Sequence, residues 1–339
     1  MAGPAALVLT GIVSVQLGAG LADRLFTELP PAAVTGLRLW SAAAAMLIIG
    51  ARGPNGLVAA VAGVVRNRAW RDAATAIAFG VGLGGMNYVF YQAIARVPLG
   101  VAVTIEFLGP LAVAVAGSRR VLDLLWVGLA ATGVVLLTGD GAAHLNVAGV
   151  AFAALSAVGW AAYIILSSAT GRRFRGSSGL VIAMLVAAVV VTPAAVATAS
   201  NSLLRPSVIA TGAGVGLLSS ALPYGLELQA LRRLSTRVFG IWMSLEPVAA
   251  ALIGLALLGQ RLSPAEWAAV ACVVIACVGA TRGSRSSAAP APPGGSGVPE
   301  RGASSYDGGV PADTAPVSVP SGELSRPRWR QLLSRLTAP

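Results

Sequence analysis

The sequence predicts an all-helical membrane protein with many spans, and three observations lead there. Of its 339 residues 56% are apolar and only 11% charged, against about a quarter charged in ordinary soluble domains. The mean hydropathy is +0.77. Uncharged apolar stretches recur along the chain, each close to the roughly 20 residues that one helix needs to cross a bilayer.

In order, these stretches run Pro4–Ala22, Ala32–Gly50, Ala73–Ala95, Leu99–Gly117, Leu122–Gly139, Val147–Ser168, Leu180–Thr198, Val208–Leu231, Val238–Leu258 and Ala265–Thr281. With no water in the hydrocarbon to bond the backbone, each must close its own hydrogen bonds as a helix. The prediction is therefore ten transmembrane helices within residues 1–281. No basic residue precedes the first stretch, so it reads as a retained helix and not as a secretory signal.

From Ser284 to Ser325 the chain turns rich in Pro, Gly and Ser, as in Ala289 to Gly295. Such composition buries no core and predicts a disordered tail. The closing Arg326 to Leu336 is basic with interleaved Trp329, Leu332, Leu333 and Leu336. It reads as a solvated end holding a transient helix, or as a segment lying on anionic lipid.

All 24 basic residues are arginine, and 13 acids leave a net charge of +11. In a soluble protein that balance would suggest nucleic acid, but here most arginines sit between apolar runs, where they set orientation, so nucleic acid is not an expected partner. Loops after the second, fourth, sixth and eighth stretches hold twelve: Arg52, Arg66, Arg68, Arg71, Arg119, Arg120, Arg172, Arg173, Arg175, Arg232, Arg233 and Arg237. The other loops hold four, Arg24, Arg96, Arg205 and Arg261. Positive charge gathers on the cytoplasmic side, so both termini are expected in the cytoplasm of a multi-pass cell-membrane protein.

Metal and catalytic chemistry find little material. His144 is the sole histidine and lies in a short polar connection, while Cys272 and Cys277 are five apart in the last stretch, where packing suits them. No metal site, cofactor or catalytic residue set is expected.

An internal repeat organises the spans. Gln92-Ala93-Ile94-Ala95-Arg96-Val97 parallels Gln229-Ala230-Leu231-Arg232-Arg233-Leu234, and the same register sets Pro110 opposite Pro247. Past a four-residue gap, Trp126 falls opposite Trp267. Two halves of five spans must insert in opposite orientations, and inverted repeats with a site between them are a transporter architecture.

Ionisable residues inside spans mark the candidate site, because a charge in hydrocarbon is costly unless it faces a bundle interior or a wet cavity. Arg38, Glu106 and Glu246 lie roughly 10 Å or more from their span ends at 1.5 Å per residue, and Glu227 only about a turn from its end. The register puts Glu106 opposite Met243 and Glu246 opposite Gly109, so the two acids share a face about one turn apart. Either they share a substrate cavity, or Arg38 pairs with a glutamate so that both can be buried. Pro110, Pro223 and Pro247 interrupt helices beside these acids and free backbone carbonyls. Asn87, Tyr91, Tyr163 and Trp242 add polar or aromatic lining, with Tyr88, Gln92, Trp160 and Tyr224 as further candidates.

Two segments resemble a known family. Pro98 to Leu111 (PLGVAVTIEFLGPL), followed by Ser118-Arg119-Arg120, is similar to the fourth span of inner-membrane threonine/homoserine exporters, a branch of the EamA-type drug/metabolite transporter superfamily. Ser219 to Glu227 (SSALPYGLE) and Phe239 to Pro247 (FGIWMSLEP) resemble its second half, and the resemblance spans about residues 5–281. It implies two inverted five-helix EamA repeats, residues 1–140 and 141–282, before a cytoplasmic tail at 283–339. It also implies export of small amino acids or related metabolites against proton entry, with the family's membrane glutamates at Glu106, Glu227 and Glu246 and its second-span arginine at Arg38. The long tail departs from the compact family pattern. A membrane enzyme lacks residues to act with, and a non-transporting receptor or assembly partner that keeps the fold is the alternative.

Overall fold

The computed structural model describes residues 3–50, 69–116, 123–138, 146–174, 178–199, 205–231 and 236–283, together with 203, 233 and 234. The expected tail from 284 and the loop residues Arg52, Arg66, Arg68, Arg119, Arg120, His144 and Arg175 lie outside them, as do the side chains of Tyr224, Arg232 and Arg237. Among the described residues there are helices and no strand.

The helices are α1 (Pro4–Leu25), α2 (Pro31–Gly50), α3 (Trp70–Ile94), α4 (Leu99–Glu106), α5 (Leu108–Ala116), α6 (Asp123–Thr138) and α7 (Val147–Arg173). Then come α8 (Ser178–Ala199), α9 (Pro206–Gly216), a π-helical turn at Leu217–Ala221, α10 (Leu222–Leu231), α11 (Thr236–Met243), α12 (Glu246–Leu258) and α13 (Pro264–Gly283). Eight segments are long and apolar enough to cross a bilayer, with α4–α5 and α11–α12 each forming one such segment, and two shorter apolar helices cover Asp123–Leu136 and Pro206–Ala221. The chain is thus a multi-pass membrane protein.

Local chemistry sets the helix ends. Prolines open α1, α2, α9 and α13, where the missing N–H costs nothing because no carbonyl precedes it in the helix. Asn146 caps α7 by accepting from the Gly149 N–H at 3.1 Å. Ser263 and Glu266 cap α13 reciprocally, the Ser263 N–H donating to Glu266 Oε2 at 2.6 Å and the Glu266 N–H to Ser263 Oγ at 3.3 Å. Gly259 takes the left-handed φ of 66° that ends α12, a conformation glycine adopts without a Cβ clash.

Close packing relies on small residues. The most extensive contacts are α3 on α7, α13 on α6, α2 on α8 and α3 on α8, with α1 lying along α9, the π-turn and α10. A Cβ on Gly109 of α5 would stand 2.1 Å from the Ala157 carbonyl oxygen of α7, so any side chain there would push the two backbones apart. Large apolar side chains such as Leu124, Val135, Val158, Val196 and Ile275 are exposed on the outside, as suits a surface facing lipid tails.

Two spans are broken at corresponding places. α4 ends at Glu106 and α5 resumes at Leu108; α11 ends at Met243 and α12 resumes at Glu246. Glu106 and Met243 are the pair that the repeat register sets opposite one another. Pro110 and Pro247 have no N–H to give the carbonyl four residues back, so the carbonyls of Glu106 and Met243 lose their helical donor.

Candidate functional site

The breaks open onto a cavity of about 480 Å³ between α1, α2, α3, α4–α5, α7, the π-turn, α10, α11–α12 and α13. Of the residues expected at the site, Arg38, Asn87, Glu106, Tyr163, Glu227, Glu246, Pro110 and Pro223 line it. Tyr91, Trp242 and Pro247 do not. Tyr91 is fully buried, packed edge-on to Phe26 and lying under the Arg38 guanidinium at 5.3 Å from its ring centre. Trp242 packs with Val8, Ile12 and Ala230. Pro247 is buried in the first turn of α12.

Arg38, Glu106 and Glu246 are each held by a neutral group from elsewhere in the fold. Arg38 Nη2 donates to the Ser219 carbonyl at 3.2 Å. That carbonyl is available because Pro223, four residues on, has no N–H to bond it. Among the described residues Arg38 makes no ion pair with a glutamate, and the ion pair seen is Arg173 with Asp72 at 2.6 Å, joining α7 to α3. Of the two expectations for Arg38, direct pairing with an acid is therefore not what buries it.

Glu106, 7% exposed, accepts from Ser156 Oγ of α7. Glu246, 6% exposed, accepts from Gln16 Nε2 of α1 at 3.1 Å. Glu227 reaches the same cavity from α10, with Gly11 of α1 packed against its side chain. Asn87 spends one N–H on the Leu83 carbonyl at 2.8 Å. Phe107, at the α4–α5 break, meets Trp160 edge-on at 4.8 Å, and both rings line the cavity beside Glu106.

Sequence reasoning missed Gln16, Ser156 and Ser219. Neutral polar residues are ordinary within spans; only their distance partners, 230 residues away for Gln16 and 50 for Ser156, reveal them.

Among the described residues the cavity reaches one end of the bundle. It is lined by Ile164 of α7, Phe239 and Gly240 of α11, and Ala280 and Thr281 of α13, towards the end that carries Arg173. At the other end it stops at Ala19, Phe90 and Val103. Beyond them Leu25, Leu29, Val34, Ile94, Val97 and Leu99 form a packed core. Polar contacts hold that end shut: Arg24 Nη2 donates to the Leu257 carbonyl at 2.6 Å, and the Leu99 N–H to Gln260 Oε1 at 2.9 Å.

Comparison with known proteins is consistent with this arrangement. Residues 147–282 match the EamA-like transporter family. The threonine/homoserine exporter RhtA of Escherichia coli (strain K12) is 39% identical over 280 residues, covering 82% of this chain and 91% of that protein. RhtA of Salmonella typhimurium (strain LT2) is 37% identical over the same coverage. A solved crystal structure shares the fold with a TM-score of 0.55 at 20% identity, covering 82% of this chain and 96% of its own.

Proposed function

The chain belongs to the EamA-like transporter family, and from that premise we propose that it exports small amino acids of the threonine/homoserine kind, or related metabolites, by alternating access coupled to proton entry. The observation that carries the proposal is one cavity, open towards a single end of the bundle, that gathers Arg38, Glu106, Glu227 and Glu246. In this reading the Arg173 end is cytoplasmic, as the arginine balance of the loops implies, so the cavity stands open to the cell interior. Both termini, with the 283–339 tail, lie on that side.

The ten spans form two inverted repeats, 1–140 and 141–282. The packing supports this. Exchanging α1 with α7, and α3 with α9–α10, turns the α3–α7 contact into the contact of α10 with α1, while the α2–α8 and α6–α13 contacts map onto themselves. The holding of the acids follows the same exchange: α7 holds Glu106 and α1 holds Glu246. Rocking the halves opens one end as it closes the other.

Arg38 meets the carboxylate of the solute. A fixed guanidinium in this setting needs an anion, and among the described residues no carboxylate pairs with it. Glu106 and Glu246 take up and release the coupling proton. The test is intracellular amino-acid retention with and without expression of the chain: selective depletion of threonine-like amino acids supports export, and an unchanged profile opposes it.

A further inference from the structure

Of the residues that line the cavity, four bury a polar atom with no partner among the described residues: Gln16 Oε1, Glu246 Oε2, Arg38 Nε and Ser219 Oγ. They sort by chemistry. Gln16 Nε2 gives one N–H to Glu246 Oε1; the remaining Gln16 and Glu246 oxygens are both acceptors, so neither satisfies the other while Glu246 is ionised. Arg38 Nε is a donor, and Ser219 Oγ has a proton to give.

The four also sort by place. Ser14 and Gly18 of α1 press on the π-turn, Ser14 Oγ donating to the Leu218 carbonyl at 2.7 Å, while a Cβ on Gly18 would lie 2.1 Å from Ser219 Oγ. Gln16, two residues from each, projects from another side of α1 and meets α12 at Glu246. Val15 and Ala19 line the cavity between. Donors therefore sit along one flank of this strip of α1 and acceptors along the other.

Resting on the export reading above, we propose that Gln16 and Glu246 hold the α-ammonium group of the solute while Arg38 and Ser219 hold its carboxylate, so that the site selects zwitterionic α-amino acids. An ammonium brings three N–H donors to the two unpartnered acceptors, and a carboxylate brings acceptors to the two unpartnered donors. Glu106, engaged by Ser156, stays outside this frame. A solute lacking either charged group leaves buried polar atoms unpaired, and sites of that kind discriminate strongly.

The test uses the full chain in proteoliposomes, with labelled threonine counterflow competed by 2,3-dihydroxybutyrate, which lacks the amine, and by threoninamide, which lacks the carboxylate. Gln16→Leu should raise the half-saturating threonine concentration about tenfold, the worth of one charge-assisted hydrogen bond. It should also narrow the preference for threonine over the deaminated analogue alone. Ser219→Ala should narrow the preference over threoninamide alone. If Gln16→Leu does not insert, Gln16→Asn, which withdraws the amide by one methylene, serves the same arm. Inserted variants that keep both preferences overturn the assignment and leave export standing; a native chain that exchanges no amino acid overturns export itself.

Discussion

Arg38 stacks on the face of Tyr91 and gives one N–H to Ser219, and both contacts use the flat, forked shape of a guanidinium. Arg38→Lys keeps the charge and loses that shape. The expected outcome is weaker apparent affinity for threonine in a protein that still inserts, read by concentration-dependent counterflow beside a detergent melting curve. Unaltered affinity would make Arg38 a structural residue only. For the acids, Glu106→Gln and Glu246→Gln keep shape and remove charge, so each should abolish the dependence of efflux on an imposed pH gradient while leaving the chain folded. If both variants keep that dependence, the coupling role assigned to them is wrong. The charged members of this site were legible in the sequence because a charge amid apolar residues is conspicuous. Gln16, Ser156 and Ser219 were not, since their meaning lies in contacts between distant spans. Tyr91 and Trp242 show the converse: aromatic residues near an expected site read as lining, yet one packs beneath Arg38 and the other in a separate apolar cluster.

At the scale of elements, the two broken spans carry the most consequence. Pro110→Ala or Pro247→Ala restores a donor for the carbonyl four residues back, which should straighten the α4–α5 or α11–α12 segment. Slower transport with an unchanged or higher melting temperature is the expected result; an unchanged rate in both variants would show that the breaks serve packing alone. Gly109 makes the opposite kind of prediction. Because a Cβ there would meet the Ala157 carbonyl at 2.1 Å, Gly109→Ala should cost about 1–3 kcal/mol of stability as α5 and α7 are forced apart, visible as a lower melting temperature. The long apolar helices and the proline interruptions could be read from sequence, because span length and a missing N–H are local properties. The π-helical turn at Leu217–Ala221 could not. α1 and α2 grip that segment through Ser14 and Arg38, contacts between spans that are distant in sequence.

For the molecule as a whole, the closed end should act as a gate. Arg24→Ala removes the bond to the Leu257 carbonyl and should favour the state open at that end, so that a cysteine at Val103, placed in a cysteine-free background, reacts faster with an impermeant thiol reagent added outside. Equal reactivity would mean that the apolar core beyond the cavity, not this contact, holds the end shut. Composition and span lengths were enough to foresee a multi-pass helical membrane protein, whereas the cavity open towards the Arg173 end was invisible until helices distant in sequence were seen side by side. The most direct test of proton-coupled amino-acid export through this cavity is labelled threonine flux in proteoliposomes under an imposed pH gradient, comparing the native chain with Glu246→Gln. The account predicts saturable flux that the gradient accelerates in the native chain, and flux indifferent to the gradient in the variant; equal acceleration in both, or no saturable flux of any amino acid in well-inserted native protein, would contradict it.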